Sequence, residues 1–299
     1  MDPSPIRTEI SHHTAQVNGI QLHYAQAGAG RLMLFLHGFP EFWYAWRRQL
    51  EEFGRDHLAL APDMRGYNLS DRPQEVNAYR GKILIEDVRQ LAARFTDEPF
   101  VLVAHDWGGA VAWSFAIAHP ELLQRLVIIN APHPVPFARD LALDPAQQQA
   151  SRYMNLFRDP KAERVLSEHN YARLLRMMSA EWGRGGLSDA DREAYVAAWS
   201  QEGALTAMLN YYRASPLYPP IGDDPGTGRI RLDAAQFMVR VPTLVIWGER
   251  DGALLPGNLR GLEACVADLR VKRIPEGSHW VIHERPDEVN ALIRDFISA

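Results

Sequence analysis

Apolar and polar positions change period several times along this chain, and each change marks an element. Thr14 to Val17 and Ile20 to Tyr24 alternate around Asn18-Gly19, the dipeptide that suits a two-residue hairpin turn. Leu32 to Leu36 is a short apolar strand, and Trp43, Trp46, Leu50 and Phe53 then recur at helical spacing. His57 to Ala61 reads as a strand. Ile85, Val88, Leu91, Ala92 and Phe95 form a second helical stripe, leading into the apolar run Phe100 to Val103. A helix is predicted from there to about Ala118, and Leu126 to Ile129 is the next apolar strand. Strand and helix in strict alternation predict an α/β architecture, a mostly parallel sheet flanked by helices on both faces.

That rhythm stops near Pro134. As far as Met238 the apolar spacing is helical, broken by Pro and Gly, with no strand-like run. Ser188-Asp189-Ala190-Asp191 has the form of a capping box opening a helix through Tyr195 and Trp199. A further helix is predicted from Ala204 to Arg213, ended by Pro216, Pro219 and Pro220, with a polar loop from Gly222 to Arg229. Strand spacing returns at Thr243 to Trp247 and at Leu269 to Ile274, before a last helix around Val289 to Ile297. The chain therefore divides into a core domain, 1–134 with 239–299, and an inserted helical cap domain, 135–238.

Composition narrows the function classes. With 37 acidic against 32 basic residues, the chain offers no basic surface for nucleic acid. Its single cysteine, Cys265, excludes an internal disulfide and fits a reducing compartment. The N-terminus lacks the apolar core of a signal peptide, and no apolar run is long enough to cross a bilayer. A cytoplasmic protein without nucleic-acid or membrane partners is expected.

The candidate chemistry begins where the Phe100 to Val103 run meets Ala104-His105-Asp106-Trp107-Gly108-Gly109. A small-x-Asp-x-Gly turn between strand and helix has the form of a nucleophile elbow, with Asp in place of the usual Ser. An ionised carboxylate needs no base to free it and suits displacement at a saturated carbon, leaving an ester on the protein. That ester then needs a base to activate water. His279, in Glu276-Gly277-Ser278-His279-Trp280, follows the last predicted strand. Asp251, in Trp247-Gly248-Glu249-Arg250-Asp251, follows the strand before it, with Glu249 as a local competitor for orienting the imidazole. His279 and His283 stand four apart beside Glu284, a spacing open to a metal pair, but Pro286 follows and no third ligand is evident. His37-Gly38-Phe39-Pro40 ends the first core strand. There the Phe39 amide, with that of Trp107, is placed to form an oxyanion hole, while His37 reads as structural.

Four segments together carry a specific resemblance: His37-Gly38-Phe39-Pro40-Glu41, Asp63-Met64-Arg65-Gly66-Tyr67, His105-Asp106-Trp107-Gly108-Gly109 and Asn130-Ala131-Pro132-His133-Pro134. They resemble the α/β-hydrolase-fold epoxide hydrolases over nearly the whole chain, cap included. The resemblance favours Asp251 as the acid and implies two cap tyrosines that act on the epoxide oxygen. Tyr153, ahead of Phe157-Arg158-Asp159-Pro160, matches the first. Tyr212, in Asn210-Tyr211-Tyr212-Arg213, matches the second. It further implies a small hydrophobic epoxide and water as reactants, a vicinal diol as product and no metal or organic cofactor, in a monomer or homodimer. Haloalkane and haloacetate dehalogenases share the Asp chemistry. The first often carry Asn where this chain has Phe39, and the second carry arginines just after the nucleophile, where this chain has Trp107 and Ala110. A hydrolase-derived binding protein without turnover is the remaining alternative.

Overall fold

A computed structural model of the chain describes residues 9–179 and 186–298. Its centre is one eight-stranded sheet in the order β1-β2-β4-β3-β5-β6-β7-β8. The strands are β1 (Ser11–Val17), β2 (Ile20–Ala27), β3 (Leu32–Leu36), β4 (Leu58–Pro62), β5 (Phe100–His105), β6 (Leu123–Ile129), β7 (Thr243–Gly248) and β8 (Leu269–Ile274). The hairpin β1–β2 and the β2–β4 pair are antiparallel. Every pairing from β4 through β3 to β8 is parallel. β3, β5 and β7 are buried along their full length, as strands covered on both faces must be.

The pleat divides their side chains between two cores. Leu34, Leu36, Leu102, Ala104, Leu126 and Ile128 face one way, against α2 (Gly81–Ala92) and α3 (Asp106–Ala118). Met33, Phe35, Val101, Val103, Val127 and Ile129 face the other, against α1 (Arg47–Phe53) and the terminal helix α11 (Pro286–Ser298). A register slip of one residue would exchange the two sets, so the pattern fixes the pairing.

Some boundaries differ from the sequence expectation for local reasons. The Trp43 to Phe53 stripe is a 3-10 turn, Trp43–Trp46, followed by α1. α2 stops at Ala92, and the amides of Arg94 and Phe95 bond back to Leu91 and Ala92. β6 begins at Leu123, three residues before its apolar run, because Leu123 pairs with Phe100 across an irregularity in register. The short α10 (Val281–Glu284) was not foreseen.

Among the described residues, six α-helices lie between β6 and β7: α4 (Pro134–Leu143), α5 (Pro145–Ala150), α6 (Tyr153–Arg158), α7 (Ala162–Ser179), α8 (Asp189–Trp199) and α9 (Ala204–Ala214). α7 is two helical pieces joined where Glu168 turns extended and His169, Asn170 and Tyr171 are left-handed. The capping box of α8 is formed: the Asp191 amide donates to Ser188 Oγ at 3.1 Å, and the Ser188 amide to Asp191 Oδ2 at 3.2 Å. Three side chains tie these helices to the loops after β3 and β4. Tyr211 donates to Arg65 O at 2.8 Å, Trp199 to Pro40 O at 2.6 Å and Tyr195 to Glu41 Oε1 at 2.7 Å. No described helix is long and apolar enough to cross a membrane.

Candidate active site

The strand-to-helix turn after β5 does what its small residues allow. Asp106 is the first residue of α3 and takes φ +48°, a left-handed conformation that costs a non-glycine residue about 1–2 kcal/mol. The turn lifts the carboxylate off the sheet and sets it at the positive end of the helix. The approach is close enough that a Cβ on Gly38 would lie 2.3 Å from the Asp106 side chain, and one on Gly108 2.3 Å from Leu36 O. Only glycine fits at either position. The Phe39 amide donates to Asp106 Oδ1 at 2.7 Å. Trp107 follows in the first turn of α3, where backbone N–H groups have no intrahelical acceptor.

The loops after β7 and β8 bring the other two groups to the same place. His279 Nδ1 is 2.8 Å from Asp251 Oδ2, and its Nε2 faces Asp106 Oδ2 at 3.7 Å. Asp251 is fully held: Oδ1 accepts from the Ala253 and Leu254 amides, both at 2.8 Å, and Oδ2 from Asn130 Nδ2 at 2.8 Å. Burial alone would raise its pKa. His279 first, then the Leu254 amide and Asn130, outweigh that and hold the carboxyl below its ordinary value. Glu249, the competing acid, is turned to the surface, bonded to Arg273 at 2.9 Å. His37 Nδ1 bonds to Gly38 O at 3.0 Å, and Nε2 accepts from the Met64 amide at 3.0 Å, so both ring nitrogens serve the backbone.

Behind the triad lies a second buried network that sequence reading did not assemble. Glu41 Oε1 takes His283 Nε2 and the Tyr195 hydroxyl, each at 2.7 Å. Its Oε2 is 3.6 Å from His105 Nδ1, and His105 Nε2 bonds to His279 O at 2.8 Å. Burial works against the ionised form of Glu41, yet His283 and His105 hold its carboxyl well below the usual range. Thus His283, four residues after His279, pairs with a carboxylate. Among the described residues no group of three or more His, Cys, Asp or Glu is placed to hold a metal ion. Asn130 opens the segment Asn130-Ala131-Pro132-His133-Pro134, but nothing local in the sequence announces its bond to Asp251, 121 residues later.

Above Asp106 the helices supply an aromatic wall. Tyr153 and Tyr212 face each other edge-on with ring centroids 6.2 Å apart. Phe157 packs 5.3 Å from Tyr153 and 4.9 Å from Tyr212, and Trp107 lies 5.0 Å from Tyr212. Tyr153 and Tyr212 line the same cavity as Asp106, of about 290 Å³. Neighbouring Tyr211 also lines it, but its hydroxyl is committed to Arg65 O. Burial raises the Tyr153 and Tyr212 hydroxyls well above 10. The Asp106 charge adds to this at Tyr153, and Tyr153 followed by Asp106 adds to it at Tyr212, where a hydrogen bond from the Trp107 side chain partly opposes. Both phenols thus keep their protons in the cavity they share with Asp106.

The chain is similar to known proteins over most of its length. The model of the alpha/beta hydrolase fold family matches residues 31–286. Epoxide hydrolase 3 of Xenopus tropicalis is 39% identical over 94% of this chain and 75% of its own length. An AB hydrolase superfamily protein of Bacillus subtilis is 38% identical over 94% of this chain and 95% of its own. Among solved structures, a mutant epoxide hydrolase from Bacillus megaterium complexed with its naphthyloxy-propanediol product superposes with TM-score 0.87 at 36% identity. It covers 96% of this chain and all of that one.

Proposed function

The chain belongs to the alpha/beta hydrolase fold family and within it to the epoxide hydrolases, and from that premise we propose that it converts a hydrophobic epoxide and water to a vicinal diol through an ester on Asp106. The observation that carries this reading is the single cavity lined by Asp106, Tyr153 and Tyr212 together. A leaving alkoxide needs a proton or a hydrogen bond, and a phenol whose pKa is raised keeps one to give. A departing halide needs donors alone. Two phenols that keep their protons in the cavity of Asp106 therefore favour the epoxide reading over a dehalogenase.

The steps follow from the atoms. Oδ1 is held by the Phe39 amide, so Oδ2 attacks a ring carbon. One C–O bond of the epoxide breaks as the C–Oδ2 bond forms, and Tyr153 and Tyr212 stabilise the released oxygen. His279, oriented by Asp251, then takes a proton from water as its oxygen adds to Cγ of the ester. Negative charge collects on Oδ1, where the amides of Phe39 and Trp107 receive it. Collapse breaks the Cγ–Oδ2 bond, and the departing oxygen takes the proton held by His279. The water's second proton makes good the one that the first oxygen drew from the tyrosines. The diol leaves with the water oxygen kept in the Asp106 carboxylate. The helical segment 135–238 serves as the cap that brings both tyrosines over the nucleophile.

Two variants test the scheme. Asp106→Ala should abolish diol formation from any epoxide; near-normal turnover in that variant would sink the assignment. His279→Gln should form the ester and fail to release it, so intact mass after incubation should show the protein plus one epoxide. Halide release from haloalkanes, without diol from epoxides, would move the protein to the dehalogenases.

A further inference from the structure

The cavity is longer than ring opening requires. Asp106, Ala110 and Ser114 recur every four residues on α3 and all line it. They are half-buried, whereas Val111, Ala112, Trp113 and Phe115 around them are buried. Eight residues of helix at 1.5 Å rise place Ser114 about 12 Å along the axis from the nucleophile. Facing that stripe are Gly81 and Leu84 of α2 and, from the segment after α9, Leu217, Ile230 and Leu232.

The polar groups along this channel are turned away from it. Ser114 Oγ donates to Ala110 O at 3.0 Å. Ser215 Oγ donates to Leu217 O at 3.4 Å and accepts from its amide at 3.1 Å. The Tyr79 and Tyr211 hydroxyls serve the carbonyls of Pro73 and Arg65, at 2.7 and 2.8 Å. Among the described lining residues Asp106 alone is charged, and no Lys or Arg reaches the channel. What remains to address a ligand is the reacting set at Asp106 and hydrocarbon along the stretch to Ser114.

Resting on the epoxide-hydrolase reading, we propose that the protein selects neutral epoxides with one elongated apolar arm laid along α3, that it discriminates against arms ending in a carboxylate, and that Ser114 sets the arm length. With C–C bonds near 1.5 Å in a zigzag, the channel takes an arm of about eight or nine carbons. An anionic arm would exchange water for an apolar wall beside the like charge of Asp106, with no cation to meet it.

The test is kcat/KM for diol formation across terminal epoxides from 1,2-epoxybutane to 1,2-epoxytetradecane, with a five-carbon-arm acid and its methyl ester beside them. The expected gain is up to about fourfold per added CH2, equivalent to about 0.8 kcal/mol, levelling off once the channel is filled. The acid should fall at least tenfold below its ester. Ser114→Phe should lower kcat/KM for 1,2-epoxydecane at least tenfold more than for 1,2-epoxybutane. Ser114→Arg should narrow the gap between acid and ester. Thermal melts matching the parent establish that both variants fold. Diol formation indifferent to arm length and to the carboxylate would overturn this inference and leave the reaction class standing. No diol from any member of the series would overturn the reaction class instead.

Discussion

At the scale of single residues, the site depends on side chains held in ionisation states that suit their tasks. Tyr153 and Tyr212 both have hydroxyl pKa values raised well above 10, chiefly by burial. The acid form therefore persists across the whole working range, and kcat/KM should show no basic limb below about pH 10. A limb near pH 8 or 9 that disappears in Tyr153→Phe would contradict this. Replacing either tyrosine with Phe should lower kcat about a hundredfold, the usual share of one positioned acid. The double variant should fall much further, since the second phenol no longer covers for the first. Steady-state rates on a single epoxide decide both points.

At the scale of elements, the elbow was legible because its causes are local: an apolar strand, small residues and an acid at fixed offsets over ten positions. The supports of the acid loop were not legible, because each acts across long sequence separations. Asn130 reaches Asp251 from the end of β6. Gln147 of α5 is fully buried and clamps the loop after Asp251. It donates to Ala253 O at 2.8 Å and accepts from the Leu255 amide at 3.0 Å and from Asn258 Nδ2 at 2.8 Å. In sequence Gln147 is one polar residue among Gln147-Gln148-Gln149, and no pattern separates it from its neighbours. Gln147→Leu would leave the part-buried Ala253 carbonyl and Leu255 amide without these partners, while Asn258 Nδ2 keeps Leu255 O, and should cost about 2 kcal/mol. It should also speed hydrogen exchange at Leu254 and Leu255 and slow ester hydrolysis more than ester formation, so that the covalent species accumulates during turnover. Unchanged exchange at those two amides would show that the clamp does not hold the loop.

At the scale of the whole molecule, the lack of a strand pattern between Pro134 and Met238 says that helices follow β6, but not how they seat on the sheet. That seating depends on bonds such as Tyr195 to Glu41 and His133 to Phe237, whose ends are about a hundred residues or more apart. His133 also governs how the molecule meets acid. Its Nε2 bonds to Phe237 O at 3.0 Å, and its Nδ1 accepts from the Val135 amide at 3.3 Å, where α4 begins. Burial, partly offset by the Phe237 carbonyl, pushes its pKa from 6.5 down to about 4. Between those values the unfolded chain binds a proton that the native protein refuses. Stability is therefore fully present above pH 6.5 and falls as the pH drops toward 4, by about 3 kcal/mol for this one group. His37 and His283, also lowered by burial, act in the same direction. The depressed carboxyls of Glu41 and Asp251 add their losses only at still lower pH. Melting temperature should thus fall steeply between pH 6.5 and 4, before most carboxylates are protonated. His133→Gln keeps a donor for Phe237 and an acceptor for Val135 but cannot titrate, so it should flatten that part of the curve. An unchanged slope in the variant would place the acid sensitivity elsewhere.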